Sequence, residues 1–181
     1  MHDQNLSILN WNVRGLNCPN RRSTIRETIA ATPCHLVYLQ ETKLEQIDPS
    51  MATSLGGQRH KIFAQQPAIG TRGGILLLWD EDLVDVKDIS TGSFFLSATV
   101  TIACNNSSFK FTTVYGPTRS NLKDSFFQEL INEKPAPGTR WLLADDFNQI
   151  YRASDKNRAN SNRSRMTRFR NTLNTCQLKE I

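Results

Sequence analysis

Four short stretches carry side chains suited to one kind of chemistry: Asn10-Trp11-Asn12, Leu39-Gln40-Glu41-Thr42, Val114-Tyr115-Gly116-Pro117 and Asp145-Asp146-Phe147-Asn148. Singly, each has an ordinary reading as a turn residue, a helix cap or a strand-end aromatic. Each, however, follows directly on an apolar segment of strand length. Polar groups placed where buried strands emerge converge on one site, because the strands hold the loops rigid. Together these residue types suit hydrolysis of a phosphodiester. Magnesium takes oxygen ligands and keeps several waters, so one or two carboxylates hold it. Glu41 is the evident ligand, with the Asn12 side-chain oxygen beside it, and Mn2+ would substitute for Mg2+. The metal would polarise a phosphate oxygen and steady the leaving oxygen. Asp146 would orient or deprotonate the attacking water. Asn148 and Tyr115 would donate hydrogen bonds to the phosphoryl oxygens. No covalent enzyme intermediate is required.

The elements that must position these residues can be read from pattern. Leu6 to Trp11 has the apolar core of a buried strand. Pro19 opens a helix whose inner face carries Ile25 and Ile29, and Pro33 ends it. His35 to Leu39 is a second strand, closing a β-α-β unit. Asp48 to Leu55 is a short helix, His60 to Gln65 a strand, and Ile75 to Trp79 the most apolar strand. Asp80, Glu81 and Asp82 mark a turn. Strands follow at Val84 to Ile89, Phe94 to Ala103 and Phe109 to Tyr115, the last two joined by a turn at Asn105 to Ser108. Gly116-Pro117 breaks the chain. Helical spacing spans Leu122 to Asn132, Trp141 to Ala144 is a strand, and Met166 to Gln177 is a helix. Leu178 to Ile181 looks like a strand beginning. Mixed α and β elements with long antiparallel runs imply sheets packed between outer helices.

With 181 residues and 38% hydrophobic residues, the chain suits one domain with a substantial core. No apolar run approaches the roughly 20 residues of a membrane span, and the first residues lack the pattern of a cleaved secretory signal. The four cysteines are widely spaced and the three histidines form no ligand pattern, so neither a zinc site nor a disulfide framework is expected. The histidines read as surface or strand residues. The net charge is +5, unevenly placed. Met1 to Gln149 carries 14 Lys/Arg against 15 Asp/Glu, whereas Ile150 to Ile181 carries 8 against 2. Arg158, Arg163, Arg165 and Arg168 fall within this basic end, which could track a phosphate backbone or form a solvated helix face.

The four motifs, in this order, resemble those of the endonuclease/exonuclease/phosphatase superfamily. Their wording is most similar to the endonuclease of plant LINE-type (non-LTR) retrotransposons: Asn10 to Asn17, Leu39 to Leu44, Gly73-Gly74 to Trp79, and Asp146-Phe147-Asn148. The resemblance implies a four-layered, DNase I-like α/β sandwich and metal-dependent cleavage of DNA. It assigns metal binding to Glu41 with Asn12 near the metal and phosphate, phosphate contact to Tyr115 and Asn148, and action on the water to Asp146. It implies DNA as partner, no membrane, a downstream reverse transcriptase in the parent element, and an intracellular setting, nuclear rather than cytoplasmic. Three positions depart from the family pattern. Arg14 stands where many relatives carry Asp, and Asp145 stands where Gly is usual. The closing Ser-Asp-His motif is not in the sequence. A single domain over residues 1–181 is expected, lacking the final strands and that histidine. General acid–base help is worth roughly 10²–10⁴-fold, so reduced or lost activity is expected. The alternatives are a non-catalytic nucleic-acid-binding relic, a phosphatase-type relative and an unfolded product.

Overall fold

The computed structural model describes residues 6–70, 72–147 and 163–179. Along the chain run β1 (Ile8–Asn12), α1 (Pro19–Ala31), β2 (Leu36–Gln40), α2 (Pro49–Gly56), β3 (Ile62–Ile69), β4 (Arg72–Trp79), β5 (Val84–Thr91), β6 (Phe95–Ile102) and β7 (Ser108–Tyr115). A 3-10 turn at Ser120–Leu122 leads into α3 (Lys123–Asn132), followed by β8 (Trp141–Asp146) and α4 (Arg163–Thr175). The strands form two four-stranded sheets, ordered β1-β2-β4-β3 and β5-β6-β7-β8. In each sheet one pair is parallel, β1 with β2 and β7 with β8, and the other pairings are antiparallel.

The layers follow from side-chain alternation. On β4, Ile75, Leu77 and Trp79 face the second sheet, while Leu76 and Leu78 face the other way, into the cluster with Ile25, Ile29, Ala52 and Leu55 of α1 and α2. On β2, Leu36 and Tyr38 pack between the sheets, and Val37 and Leu39 pack against the helices. Strands buried on both faces read as continuous apolar runs rather than alternating ones, which is why both are so plain in the sequence. Phe111 of β7 joins the central layer, and its ring centroid lies 4.2 Å from that of Tyr38. On the far side, Phe126, Phe127 and Leu130 of α3 pack with Phe169 of α4 over Phe95 and Val114. The result is helix, sheet, sheet, helix: a four-layered α/β sandwich.

Local chemistry sets the boundaries. Pro19 fits the first turn of α1, where its missing N–H is not needed. Pro33 forces Thr32 into an extended conformation, φ −104°, and ends that helix. Asp48 caps α2 by accepting from the Met51 amide at 2.8 Å. Asp80 makes the crossing between sheets: its carboxylate accepts from the Asp82 amide and its carbonyl from Leu83 and Val84.

Several sequence expectations shift. β4 begins three residues before Ile75, running through Gly73-Gly74, and β8 extends two residues past Ala144. His35 and His60 precede β2 and β3 rather than lying in them, and both are buried. His60 Nε2 donates to the Cys34 carbonyl at 2.9 Å, and His35 Nδ1 accepts from the Ser7 amide at 3.1 Å. Leu178 and Lys179 form no strand; Leu178 donates from its amide to the Leu173 carbonyl and packs on the outer core.

One buried polar side chain links the two sheets. Gln40, 1% exposed, donates from Nε2 to Thr113 Oγ1 at 2.8 Å and to the Val114 carbonyl at 3.1 Å. Replacing it with an isosteric apolar group strands those acceptors. Gln40→Leu is expected to cost about 1–3 kcal/mol in urea unfolding; an unchanged midpoint would refute the role given to this contact.

Candidate active site

Asn12 is the last residue of β1, Gln40 the last of β2, Tyr115 the last of β7 and Asp146 the last of β8. Because β1 and β2 are parallel, with Asn12 opposite Gln40, their ends coincide. The same holds for β7 and β8, where Tyr115 lies opposite Asp146. The Gln40 hydrogen bonds bring the two pairs of ends to a common rim. A Cβ placed on Gly73 of the first sheet would lie 3.9 Å from the Tyr115 ring of the second. Thus Asn12, Glu41, Tyr115 and the backbone of Asp146 share one end of the sandwich. Asn148 and Arg158 lie outside the described residues.

Glu41 is held from two sides. Its Oε1 accepts from Asn12 Nδ2 at 2.9 Å, and its Oε2 lies 3.7 Å from Lys43 Nζ. Asn12 Oδ1 in turn accepts from the Arg14 amide at 3.1 Å. The backbone here is strained: Arg14, Glu41 and Lys43 have φ of 54°, 54° and 56°. A non-glycine residue in this region costs of order 1–3 kcal/mol, and such residues cluster where geometry serves function. The strain is held by pairing beyond the strand end. Thr42 and Lys43 donate their amides to the carbonyls of Gly74 and Gly73, each at 3.0 Å, and Leu16 donates to Thr42 at 2.8 Å.

The glycine pair is what lets that loop lie against β4. Gly74 has φ +85°, and a Cβ there would collide with the Thr42 hydroxyl and come within 3.1 Å of the Ala68 Cβ. At the other pair of ends, the backbone of Gly116 lies so close to the Phe147 carbonyl that a side chain would overlap it. Phe147 is also where the last helix anchors, with Phe169 edge-on to it at 4.8 Å between centroids. The arginine-bearing helix therefore stands beside the end of β8. One of its arginines, Arg168, is paired with Asp124 of α3 at 2.8 Å, a partner that competes with the phosphate contact expected from sequence. Arg163 and Arg165 lie in the first turn of α4.

Two basic residues were not foreseen. Lys43 follows Glu41 by two positions, and only the successive left-handed turns bring its ammonium back to the carboxylate. Arg21 of α1 donates from Nη1 to the Arg14 carbonyl at 2.6 Å and reaches Gly15 O at 3.5 Å. The hydrophilic run Asn20-Arg21-Arg22 was a weak signal for it. Beside them is Cys18, exposed at the start of α1. Its sulfur makes no formal cap, yet the backbone amides of Arg21 and then Asn20 lower its pKa below the usual thiol value.

The donor set suits a hard divalent cation. Glu41 offers its carboxylate oxygens and keeps 16% of its side chain exposed, so an ion could retain waters; Asn12, expected to bring its oxygen to the metal, instead turns its amide nitrogen to Glu41 and its oxygen to the Arg14 amide. No group of three His, Cys, Asp or Glu side chains converges among the described residues, but magnesium does not require one.

The sequence model of the Endonuclease/Exonuclease/phosphatase family matches residues 9–178, and the chain belongs to that family. No curated protein sequence matches at a significant level. Among solved structures, AP endonuclease LMAP from Leishmania major superposes with a TM-score of 0.72 at 18% identity, covering 94% of this chain and 66% of that one. TDP2 from D. rerio, complexed with a single-strand DNA product, gives 0.59 at 20% identity, covering 82% and 62%. The mannosyl-6-phosphatase Bt3783 of Bacteroides thetaiotaomicron gives 0.59 at 13% identity, covering 80% and 66%. These likenesses establish the DNase I-like fold. The chain spans slightly less than two thirds of each of these three solved chains.

Two outcomes test this geometry. Gly74→Ala should destabilise the protein by about 1–3 kcal/mol through overpacking and weaken divalent-ion binding by displacing the Glu41 loop; intact ion binding, read by calorimetry, would contradict that coupling. Iodoacetamide reacts with the thiolate, so the lowered pKa should bring Cys18 labelling in at lower pH than an ordinary thiol. Cys34 and Cys176, whose pKa values burial raises, should label later. Mass spectrometry across pH decides, and labelling of Cys18 no earlier than those two would contradict the lowered Cys18 pKa.

Proposed function

We propose that this chain is a metal-assisted phosphodiesterase domain that acts on DNA. The observation that carries the reading is the Asn12–Glu41 pair, held in a strained loop on the same rim as Tyr115 and the end of β8. A carboxylate fixed by an amide at the mouth of two parallel strand pairs is a costly arrangement with no evident packing purpose.

In this reading Glu41 holds the cation, and the Asn12 amide N–H orients its carboxylate. Magnesium bound there would supply Lewis-acid polarisation of the phosphoryl group. Asp146 takes the proton of the attacking water as its oxygen bonds to phosphorus. Tyr115 and Asn148 donate hydrogen bonds to the phosphoryl oxygens, whose charge grows in the transition state. The P–O3′ bond breaks as the new P–O bond forms, and the departing O3′ takes a proton from solvent water, yielding a 5′-phosphate and a 3′-hydroxyl. Lys43, already at the Glu41 carboxylate, is suited to pairing with the phosphate once the cation occupies Glu41.

DNA is favoured over a small phosphate ester by the excess of positive charge after residue 150 and by the wording of the motifs. The same wording supports an origin in a LINE-type element, in which a nick would prime reverse transcription, and a nuclear setting follows from that role.

The test is nicking of supercoiled plasmid in magnesium, with EDTA and Glu41→Ala as controls. The expected result is nicking that requires both the ion and Glu41. Glu41→Ala should lower the rate by about three orders of magnitude, the several kcal/mol a bound metal contributes. Absence of nicking by protein shown to be folded by circular dichroism would sink the hydrolytic reading.

A further inference from the structure

Ser93 and Phe94, in the link between β5 and β6, direct their backbone groups two ways. Their donors go to one carboxylate. Glu129 of α3 accepts from the Ser93 amide at 3.3 Å on Oε1 and 3.0 Å on Oε2, and from the Phe94 amide at 3.3 Å on Oε2. Their carbonyls go to the rim. Phe94 O accepts from the Tyr115 amide at 2.9 Å, and Ser93 O from Gln66 Nε2 of β3 at 3.3 Å. The β6–β7 ladder pairs Phe95 with Val114 at this end, so the Phe94 carbonyl holds Tyr115 one residue beyond it. We propose that Glu129 is a positioning residue for Tyr115: it fixes the link from the helix layer, and the link fixes the strand end that presents the phenol. The inference rests on the reading of Tyr115 as a phosphate contact in the hydrolytic site.

The same helix supports the rest of this side of the rim. The Phe94 ring meets Phe126 edge-on at 5.6 Å between centroids, and Phe126 lies 6.3 Å from Phe147. Phe126 and Glu129 are three residues apart on α3 and so share a face. One helix face therefore reaches Tyr115 through the link and the end of β8 through Phe147. Glycine at 92 lets the carboxylate come in: a Cβ there would lie 2.6 Å from Glu129 Oε2 and overlap the Phe95 ring. Glu129 is half-buried, and a carboxylate that accepts from backbone amides makes stronger hydrogen bonds than a neutral group does. Packing of α3 does not call for it, since Phe126, Phe127 and Leu130 supply the apolar contacts. A turn further on, Glu133 also reaches the sheet, but it meets the side chains of Lys110 at 2.7 Å and Ser90 at 2.9 Å, neither of them in the link.

The test uses the full chain and two readouts. Amide hydrogen exchange followed by NMR needs no activity. Glu129→Ala should speed exchange of the Tyr115 amide by about 10-fold, through loss of the hold on its acceptor. The Val13 amide, bonded to the Gln40 carbonyl at the other pair of strand ends, should be unchanged. Glu129→Gln keeps an acceptor oxygen and should restore most of the protection. Gly92→Ala displaces the carboxylate without altering it and should deprotect Tyr115 as Glu129→Ala does, which keeps the test open if Glu129→Ala folds poorly. Glu133→Ala loosens α3 without touching the link and should leave Tyr115 protected. In magnesium, plasmid nicking by Glu129→Ala should fall about 10–100-fold in kcat with KM little changed, the scale of a displaced contact. In a Tyr115→Phe background the same substitution should cost less than about 3-fold, because the contact it positions is already gone. Unchanged Tyr115 exchange in Glu129→Ala and Gly92→Ala, equal deprotection by Glu133→Ala, or full additivity with Tyr115→Phe would each overturn the assignment. Tyr115 deprotection in a protein whose unaltered form cleaves nothing would leave the Glu129 hold standing and refute the hydrolytic reading alone. Nicking indifferent to Glu129 would do the reverse.

Discussion

Between two apolar sheets sits one amide that water cannot reach, and the site depends on how it is satisfied. Gln40 has its hydrogen-bond acceptors only across the gap, on Thr113 and Val114. An unmade bond there is expensive, so the sheets dock in the register that makes it. That register sets the end of β2 against the end of β7, which puts Glu41 and Tyr115 on one rim. The surrounding packing, Tyr38 on Phe111 above all, adds attraction, but hydrophobic burial is non-directional and fixes position less sharply.

Around that rim, local strain and local satisfaction balance. Arg14, Glu41 and Lys43 adopt a conformation unfavourable to their side chains, and each is held by a hydrogen bond from its own amide or its neighbour's: Asn12 for Arg14, the Gly73 and Gly74 carbonyls for the Glu41 loop. The glycines are needed because the loop must pass almost in contact with β4. This is how a carboxylate comes to face outward at the end of a strand whose every residue is buried.

Much of this was legible in the sequence, for physical reasons that differ from element to element. β2 and β4 stand out because strands covered on both faces carry unbroken apolar runs, Leu36 to Leu39 and Ile75 to Trp79. α1 and α2 stand out because Pro19, Pro33, Asp48 and Pro49 punctuate them. The placing of the four motifs at strand ends was legible for the same reason, since a polar residue immediately after an apolar strand marks the point where the strand emerges. What could not be read depends on distance in sequence or on unusual dihedrals. The partner of Gln40 is 73 residues away. Gly73-Gly74 reads as leading into the strand, yet the pair lies within β4 with positive φ. Lys43 returns to Glu41 only through two left-handed turns, which break the alternation a strand pattern assumes. Arg168 looked like part of a free basic face because Asp124, its counter-charge, belongs to another helix.

The two sheets share one pairing pattern, a parallel pair followed by two antiparallel pairings, with β1-β2-β4-β3 answering β8-β7-β6-β5 although the chain visits them in different orders. Each contributes half of the rim, the carboxylate and its amide from one and the tyrosine and the β8 end from the other. The site is thus a property of the seam and of neither half. A mutation, solute or bound molecule that loosens the packing between the sheets by about an ångström would separate Asn12 and Glu41 from Tyr115 and the end of β8 while both sheets remain intact. Such a protein would keep its secondary structure and lose the shared rim, and the seam is therefore the place from which the rim could be taken apart at a distance.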